Sequence, residues 1–365
     1  MKIVVAPNSF KETLTAKRFI EIVKREARGF EVIGFPLSDG GDGFIDCVSG
    51  KIEEYVTTGP DNKRIRVKVK RDGDTYYVES ASVLGLRLLA PEERNPKKTT
   101  SYGLGMLIRK IVKFQPREIV IGFGGSSTVE FGIGALSALG IKFLDAKGKE
   151  VPHNTIGLSN INRIDNTNLL RPLRETKITC ACDVDNVASG VMIYAPQKGA
   201  DEDTLAMIRQ GIENIERLFG TEVLQIRHGG ASGGIPLLFN LLLGAELVSG
   251  AEFLIRRSGF IEALSDADLV ITGEGKIDDQ TRFGKIPYNV AKLSREHNIP
   301  VMAVVGEIGE INSEVEDLFT AIFSIATGPG QLRELMATTE EKAARLIRQV
   351  LRMIRTTGRR KYVDE

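Results

Sequence analysis

Charged side chains and glycines alternate over residues 273–285, directly after a short apolar run. The run at 268–272, Asp-Leu-Val-Ile-Thr, predicts a buried strand of a parallel sheet. Gly273 and Gly275 allow the backbone to turn and to approach a ligand closely. Carboxylates repel phosphate unless a cation offsets their charge, so a mixture of acids and bases here suggests a metal-bound polyphosphate. A solvated loop is an equal alternative on the spacing alone. The charged residues are Glu274, Lys276, Asp278, Asp279, Arg282 and Lys285.

Two carboxylates lie in a second glycine-rich loop, after the strand predicted at 32–36. This loop contains Asp39, Gly40, Gly41 and Asp42. One carboxylate can accept a proton from a hydroxyl group while the other helps to hold magnesium, which prefers carboxylate and phosphate oxygens. An ordinary turn is the alternative, because Asp and Gly are common turn residues. We favour a functional role because both loops are predicted at the same edge of the sheet.

Serines and glycines precede two apolar helices, at 123–128 and at 229–234. Free backbone N–H groups and the helix dipole favour an anion at such positions. Ser126 and Ser127 are the candidates in the first loop. Tight helix packing and N-capping are the favoured interpretation of the second.

Two lysines and one aspartate complete the set of candidates. Lys11 and Lys198 each lie in a short loop between a proline and a helix, where a lysine can pair with a carboxylate or a phosphate. Asp183 follows the strand predicted at 177–182, where it can serve catalysis or cap a turn. Taken alone, its position does not decide between the two roles.

The predicted elements indicate an α/β protein of two domains. Residues 1–60 and 260–365 alternate buried strands with amphipathic helices, which predicts a doubly wound, parallel, Rossmann-like domain. Residues 61–259 begin with alternating strands around an Asp-Gly hairpin signal at 72–73 and then return to strand and helix. We therefore expect an inserted mixed α/β domain at 61–259.

Composition argues for a small-molecule partner. The 365-residue chain has a formal net charge of +1 with 27% charged residues, so no strong field favours nucleic acid or a membrane. Three cysteines make neither a disulfide framework nor a zinc motif. With no signal-peptide core and no apolar run of bilayer length, we expect a reduced, cytoplasmic protein. A homo-oligomer remains open.

Several common enzyme signatures are missing. Asp279 stands where a Walker A motif ending at Gly284-Lys285 needs its first glycine. Asp278 stands at the third glycine position of a dinucleotide fingerprint beginning at Gly273, which counts against a dinucleotide or nucleotide-sugar enzyme. The three histidines are isolated in sequence, so a histidine-based triad or metal site is disfavoured.

Taken together, the motifs resemble those of the bacterial type 1 glycerate kinases, over nearly the whole chain. The matching stretches are 6–11 (Ala-Pro-Asn-Ser-Phe-Lys), 38–43, 79–81 (Glu-Ser-Ala), 122–128, 182–184 (Cys-Asp-Val), 196–200 (Pro-Gln-Lys-Gly-Ala) and 272–285. The resemblance implies ATP-dependent, magnesium-assisted phosphorylation of D-glycerate, usually to 2-phosphoglycerate. It also implies a flavodoxin-like domain with an inserted second domain.

The resemblance also suggests roles for the candidates. Asp39 or Asp183 would accept the hydroxyl proton, Asp42 or Glu274 would help to hold Mg²⁺, and Lys11 would bind the glycerate carboxylate. Such a site positions reactants and neutralises charge without a strong nucleophile. The residues predicted to bind substrate or phosphate are Ser9, Gly40, Gly41, Ser126, Ser127, Lys198, Gly273, Gly275, Lys276, Asp278, Gly284 and Lys285.

The chain departs from the family pattern at three places. Asn8 stands where Asp is usual and cannot act as a base, Asp42 stands where Glu is usual, and the loop at 186–195 is shorter. These differences leave open a kinase of another small hydroxy acid, or a non-catalytic protein of the same fold that binds a phosphometabolite.

Overall fold

The chain folds into two compact units. The computed structural model describes residues 1–10, 13–282, 284–326, 328 and 332–360. Unit 1 combines Met1–Ser38 with Ala251–Glu365, and unit 2 is Asp39–Gly250. In the described ranges, no helix is both long and apolar enough to cross a membrane.

The strands of both units are named in chain order. They are β1 (Lys2–Val5), β2 (Glu31–Gly34), β3 (Lys51–Thr58), β4 (Arg64–Asp72), β5 (Thr75–Glu79), β6 (Glu118–Phe123), β7 (Lys142–Leu144), β8 (Arg163–Asp165), β9 (Lys177–Cys182), β10 (Glu246–Ser249), β11 (Leu269–Ile277), β12 (Val301–Ile308) and β13 (Ala321–Ser324).

The α-helices are named in the same way. They are α1 (Ala16–Glu26), α2 (Ala81–Leu84), α3 (Tyr102–Ile111), α4 (Ile133–Ala138), α5 (Thr155–Asn160), α6 (Gly190–Tyr194), α7 (Glu202–Phe219), α8 (Ile235–Leu243), α9 (Gly250–Ser258), α10 (Phe260–Ala263), α11 (Ile286–Glu296), α12 (Ser313–Glu316), α13 (Leu332–Ala337) and α14 (Thr339–Arg360).

Unit 1 contains a parallel sheet in the order β13-β12-β11-β1-β2. Counted along this unit alone, the order is 2-1-3-4-5, the flavodoxin-like arrangement of a doubly wound sheet. The apolar strand β1 and the first five residues of β12 are almost wholly buried, as strands covered on both faces should be. Helices α1 and α14 pack on each other, and ion pairs from Arg18 to Glu340 and from Arg348 to Glu26 join them.

Unit 2 is a mixed sheet in the order β10-β9-β6-β5-β4-β3. Strands β10, β9, β6 and β5 are parallel, while β4 and β3 continue the sheet as antiparallel strands. Buried apolar side chains from β6, β9, α3, α4 and α8 form one core. The predicted α/β class with parallel sheets is confirmed.

The structure differs from the sequence-based boundaries in two respects. The boundary expected at residue 60 lies at Ser38, because β3 pairs with β4 along its whole length and so belongs to the sheet of unit 2. The strand expected to end at Thr272 continues through Ile277, because β12 extends alongside it and pairs Lys276 with Glu307. The sequence predicted a loop that begins at Gly273, but the first half of that segment is part of the strand.

Candidate active site

Close backbone approaches bring the Asp39–Gly43 loop of unit 2 to the ends of β6 and β9. A Cβ atom at Gly40, whose φ is +111°, would lie 2.5 Å from the carbonyl oxygen of Ala181. A Cβ at Gly124 would lie 2.6 Å from Cα of Gly41 and 2.8 Å from Oδ2 of Asp183. Only glycine fits such spacing. Three loops thus meet at one sheet edge, the place where open α/β sheets bind ligands.

Asp39 and Asp183 are carboxylates at this edge. Asp39 Oδ1 accepts a hydrogen bond of 3.1 Å from the backbone N–H of Gly41, which orients the side chain. Asp183 follows β9, and its backbone N–H donates to the carbonyl of Phe123 at 3.0 Å. The structure thus brings together the two aspartates that the sequence proposed as alternative bases.

Lys198 supplies a buried cation. Its side chain ammonium donates to Ser126 Oγ at 3.1 Å and to the carbonyl oxygen of Thr128 at 2.9 Å, and the residue is only 4% exposed. Burial lowers the pKa of Lys198 to about 8, while the negative charges of Asp183 and Glu130 act in the opposite direction. A buried lysine of this kind at a sheet edge is typical of a functional site.

Glu130 is a fully buried carboxyl that the sequence analysis missed. Its Oε1 accepts a hydrogen bond of 2.8 Å from the backbone N–H of Ser101. Burial raises the pKa of Glu130, and the hydrogen bonds from Ser101 oppose that effect. Its position two residues after the Gly-Gly-Ser-Ser-Thr loop was the available signal. The negative charge of Glu130 favours the ammonium form of Lys198 and so raises its pKa.

The two serines of the β6 loop have different roles. Ser126 contacts Lys198, whereas the Ser127 hydroxyl donates to the carbonyl oxygen of Leu84 at 2.8 Å and its backbone N–H donates to the same oxygen at 2.7 Å. Ser127 is fully buried. It therefore fastens the loop to α2, a different use from the phosphate binding that the sequence predicted.

Asp42 lies in an ion-paired cluster. Arg87 Nη1 contacts Asp42 Oδ1 at 2.8 Å, and Arg87 Nη2 contacts Glu79 Oε1 at 3.4 Å. Burial raises the pKa of Glu79, and the positive charge of Arg87 opposes this. The sequence singled out the stretch at 79–81 but not Arg87, whose partners are brought to it by the pairing of β5 with β6.

Unit 1 positions the second group of candidates at the ends of β1 and β11. The backbone N–H of Asn8 donates to the carbonyl of Gly273 at 2.8 Å, and Asn8 Oδ1 accepts from Ser9 N–H at 2.8 Å. Gly273 is required because a Cβ there would lie 2.4 Å from the carbonyl oxygen of Val304. The backbone of Gly275 is packed closely against Gly306 of β12, since a Cβ at Gly306 would lie 2.4 Å from the Gly275 carbonyl oxygen. Asn8 is thus held as a structural link between the two strands.

Two lysines among the remaining candidates of unit 1 form ion pairs. Lys285 Nζ contacts Asp278 Oδ1 at 3.4 Å across the turn that contains Gly284, whose φ is +87°. Lys276 forms an ion pair of 3.1 Å with Glu307, which raises the pKa of Lys276. Glu274, on the same strand, is 5% exposed. Lys11, expected to bind the substrate carboxylate, lies outside the described residues.

The loop at 186–195, which is shorter than in the family pattern, contains a helix and a close backbone packing. The shortened loop at 186–195 contains the short helix α6, and a Cβ at Gly190 would lie 2.6 Å from Cβ of Asn186. Asp185, near its start, pairs with Arg227 at 3.5 Å. Asp185 is therefore engaged at the surface of unit 2.

The carboxylates of the site offer a limited donor set for magnesium. In the part of the chain that the structure describes, no three His, Cys, Asp or Glu residues are grouped as a metal cage. Magnesium usually binds one or two carboxylates together with substrate phosphates. Asp42 offers one carboxylate for such a partial donor set, and its Oδ1 contacts Arg87.

Comparison with known proteins identifies the family of this chain. A model of the glycerate kinase family matches residues 3–355. Glycerate kinase of Bacillus subtilis strain 168 is 34% identical, and the match covers 97% of this chain and 98% of that protein. Glycerate 2-kinase of Escherichia coli K12 is 33% identical, with 96% and 97% covered.

A solved structure is similar over nearly the whole chain. The Salmonella typhimurium LT2 protein designated glycerate kinase 2 superimposes with a TM-score of 0.83 at 32% identity, covering 98% of this chain and 99% of that one. The matched lengths leave no large part of either chain unaccounted for. The chain belongs to the glycerate kinase family.

Proposed function

We propose that this protein transfers the γ-phosphoryl group of MgATP to a hydroxyl of D-glycerate and releases ADP and 2-phosphoglycerate. One observation carries the proposal. The buried Lys198 ammonium donates a hydrogen bond to Ser126 Oγ at the sheet edge where Asp39 and Asp183 also lie. This set offers a base and a cation without a strong nucleophile, which suits direct phosphoryl transfer.

The acceptor chemistry is assigned to unit 2. The hydroxyl oxygen of glycerate forms a bond to the γ-phosphorus while the bond from that phosphorus to the β,γ-bridging oxygen breaks. The hydroxyl proton goes to Asp39 or Asp183, both of which lie at the meeting of the three loops. Lys198 offsets negative charge on the transferring group, and its burial strengthens that interaction because the local dielectric is low.

Nucleotide binding is assigned to the end of β11 in unit 1. The close backbone packing at Gly273 and Gly275 and the nearby Lys285 support a role in holding phosphate groups. Lys276 and Asp278 belong to the same segment. Asp42 or Glu274 would help to hold magnesium, which would supply charge neutralisation at the phosphates.

The experiment is an ADP-release assay with MgATP and D-glycerate, with the product resolved by phosphorus NMR. Glycerate-dependent ADP with a 2-phosphoglycerate signal is the expected result. A 3-phosphoglycerate signal would keep the reaction class and correct the product. Absence of glycerate-dependent turnover by folded protein would reject glycerate as the acceptor and favour another small hydroxy acid.

The subclass and cellular setting remain predictions. Type 1 membership rests on the motif resemblance alone. A cytoplasmic location rests on the sequence features described above, and the free cysteines Cys47, Cys180 and Cys182 agree with a reduced compartment.

A further inference from the structure

Arg94 is a half-buried cation whose charge is not matched by the surrounding protein. Its Nε atom is buried and has no hydrogen-bond partner among the residues that the structure describes. Over the same described ranges, no carboxylate lies within ion-pair distance of its guanidinium. A buried donor without an acceptor is costly and therefore rare. Arg94 as a whole is partly exposed, and its terminal N–H groups also lack a partner among the described residues, so these groups can bind an acceptor from outside.

Two connections tie the Arg94 segment to the candidate active site. A Cβ atom at Gly199 would lie 2.1 Å from the carbonyl oxygen of Arg94 and 3.2 Å from its Cβ, so Arg94 packs against the residue that follows Lys198. Five residues after Arg94, the Thr99 hydroxyl donates to the Ser127 carbonyl oxygen at 3.3 Å. Arg94 is therefore fixed to the Lys198 turn and its segment to the β6 loop, all within unit 2.

The guanidinium of Arg94 determines which chemical groups it can bind. A guanidinium offers a planar fork of N–H groups that matches a carboxylate or a phosphate in two-point hydrogen bonding. Phosphate binding is already assigned to the end of β11, in unit 1. In unit 2, Lys198 uses two of its three N–H donors on protein atoms and faces the carboxylate edge.

We infer that Arg94 binds the carboxylate of the hydroxy-acid substrate and so determines specificity for an acid over a neutral alcohol. This inference rests on the proposed function and deepens it. The sequence analysis assigned that role to Lys11. Arg94 contacts the substrate in this proposal but takes no part in proton or phosphoryl transfer.

The test uses Arg94→Gln and Arg94→Lys, with Arg209→Gln as the matched control. Arg209 is an exposed arginine on α7 with no ion pair among the described residues. Steady-state kinetics are measured with D-glycerate and with glyceramide, its neutral amide. Hydrogen bonds to a charged group contribute enough to affinity for loss of this pair to raise KM for glycerate by about 10- to 100-fold in Arg94→Gln.

The pattern across substrates distinguishes the carboxylate from a phosphate. In Arg94→Gln, KM for MgATP should change less than about twofold, and kcat/KM for glyceramide should hardly change. The preference for glycerate over glyceramide should therefore fall by the same factor as the affinity for glycerate. Arg94→Lys should recover part of the glycerate affinity. A rise confined to KM for MgATP, or unchanged kinetics in Arg94→Gln, would overturn the inference.

Thermal unfolding separates this role from a structural one. Gln at position 94 leaves no orphaned acceptor, because Arg94 Nε has none among the described residues. The unfolding midpoint of Arg94→Gln without ligand should therefore equal or exceed that of the wild type. A lower midpoint together with an unchanged KM for glycerate would assign Arg94 to stability and overturn the inference.

Calorimetric titration with glycerate in the absence of nucleotide makes the two proposals separable. If the wild type binds glycerate without turning it over, and Arg94→Gln loses that binding, the kinase proposal fails while Arg94 stands. If turnover is normal and binding is equal in both proteins, Arg94 fails while the kinase stands. No glycerate binding by the folded wild type would overturn the assignment of Arg94.

Discussion

Lys198 should give the reaction a pH dependence that can be traced to one side chain. Burial lowers its pKa from the ordinary 10.5 to about 8, and the difference corresponds to roughly 3 kcal/mol by which the interior disfavours the ammonium. If the ammonium is the active form, the rate should halve near pH 8 and then fall about tenfold for each further pH unit.

The assay is the initial rate from pH 6 to 10 with both substrates far below their KM values, where the rate reports the free enzyme. Lys198→Arg keeps a cation that does not titrate in this range, so its profile should lose the inflection even if the rate is lower. Glu130→Gln removes a negative charge that raises the Lys198 pKa, so the inflection should move to lower pH.

Clear results would refute this reasoning. A wild-type profile that stays flat to pH 10, or an inflection that persists unchanged in Lys198→Arg, would show that Lys198 is not the group whose ionisation limits the rate. With saturating substrates, nearby phosphate charge should move the inflection to higher pH, because an anion favours the ammonium form.

The same lysine should affect stability in a defined direction. Because its pKa is lower in the folded state than in the unfolded state, the unfolded chain binds more protons between about pH 8 and 10.5. The contribution of this group to the free energy of unfolding therefore rises with pH across that window, and it is at its most unfavourable below pH 8. In denaturant titrations, the free energy of unfolding of the wild type relative to that of Lys198→Met should therefore be higher at pH 9.5 than at pH 7.

Other substitutions in unit 2 test the roles given to individual residues. Asp39→Asn and Asp183→Asn should separate the base from its neighbour, since the true base should lose about 10²- to 10⁴-fold in kcat with unchanged unfolding; near-normal rates in both would reject the assignment. Ser127→Ala should lower the free energy of unfolding by about 1 kcal/mol in denaturant titration, because the Leu84 carbonyl loses a buried hydrogen bond, whereas Ser126→Ala should lower activity with little effect on unfolding. Gly124→Ala should reduce kcat/KM more than it changes the unfolding midpoint, because its Cβ would push apart the loops that hold both aspartates; unchanged kinetics would show that this spacing is not needed.

The local sequence was sufficient to predict the elements and much of the site. Apolar runs such as the one at 268–272 predict buried strands because burial on both faces requires uninterrupted apolar residues. Glycines beside carboxylates predicted a functional loop at Asp39. The sequence placed that loop on the same sheet edge as the loop at 273, but the structure puts it in unit 2 beside Gly124 and Asp183, whereas β11 belongs to unit 1. The joint pattern also identified the family, which the comparisons confirm.

Only the tertiary structure decided the remaining features, because they depend on partners far apart in the chain. The domain boundary lies at Ser38 because β3 finds its partner in β4, and β11 extends to Ile277 because β12 extends beside it. The burial of Lys198 and the unpaired N–H group of Arg94 likewise cannot be recognised from the sequence. A side chain's charge state and unmet hydrogen bonds are set by what surrounds it after folding, and no local pattern of residue types records those surroundings.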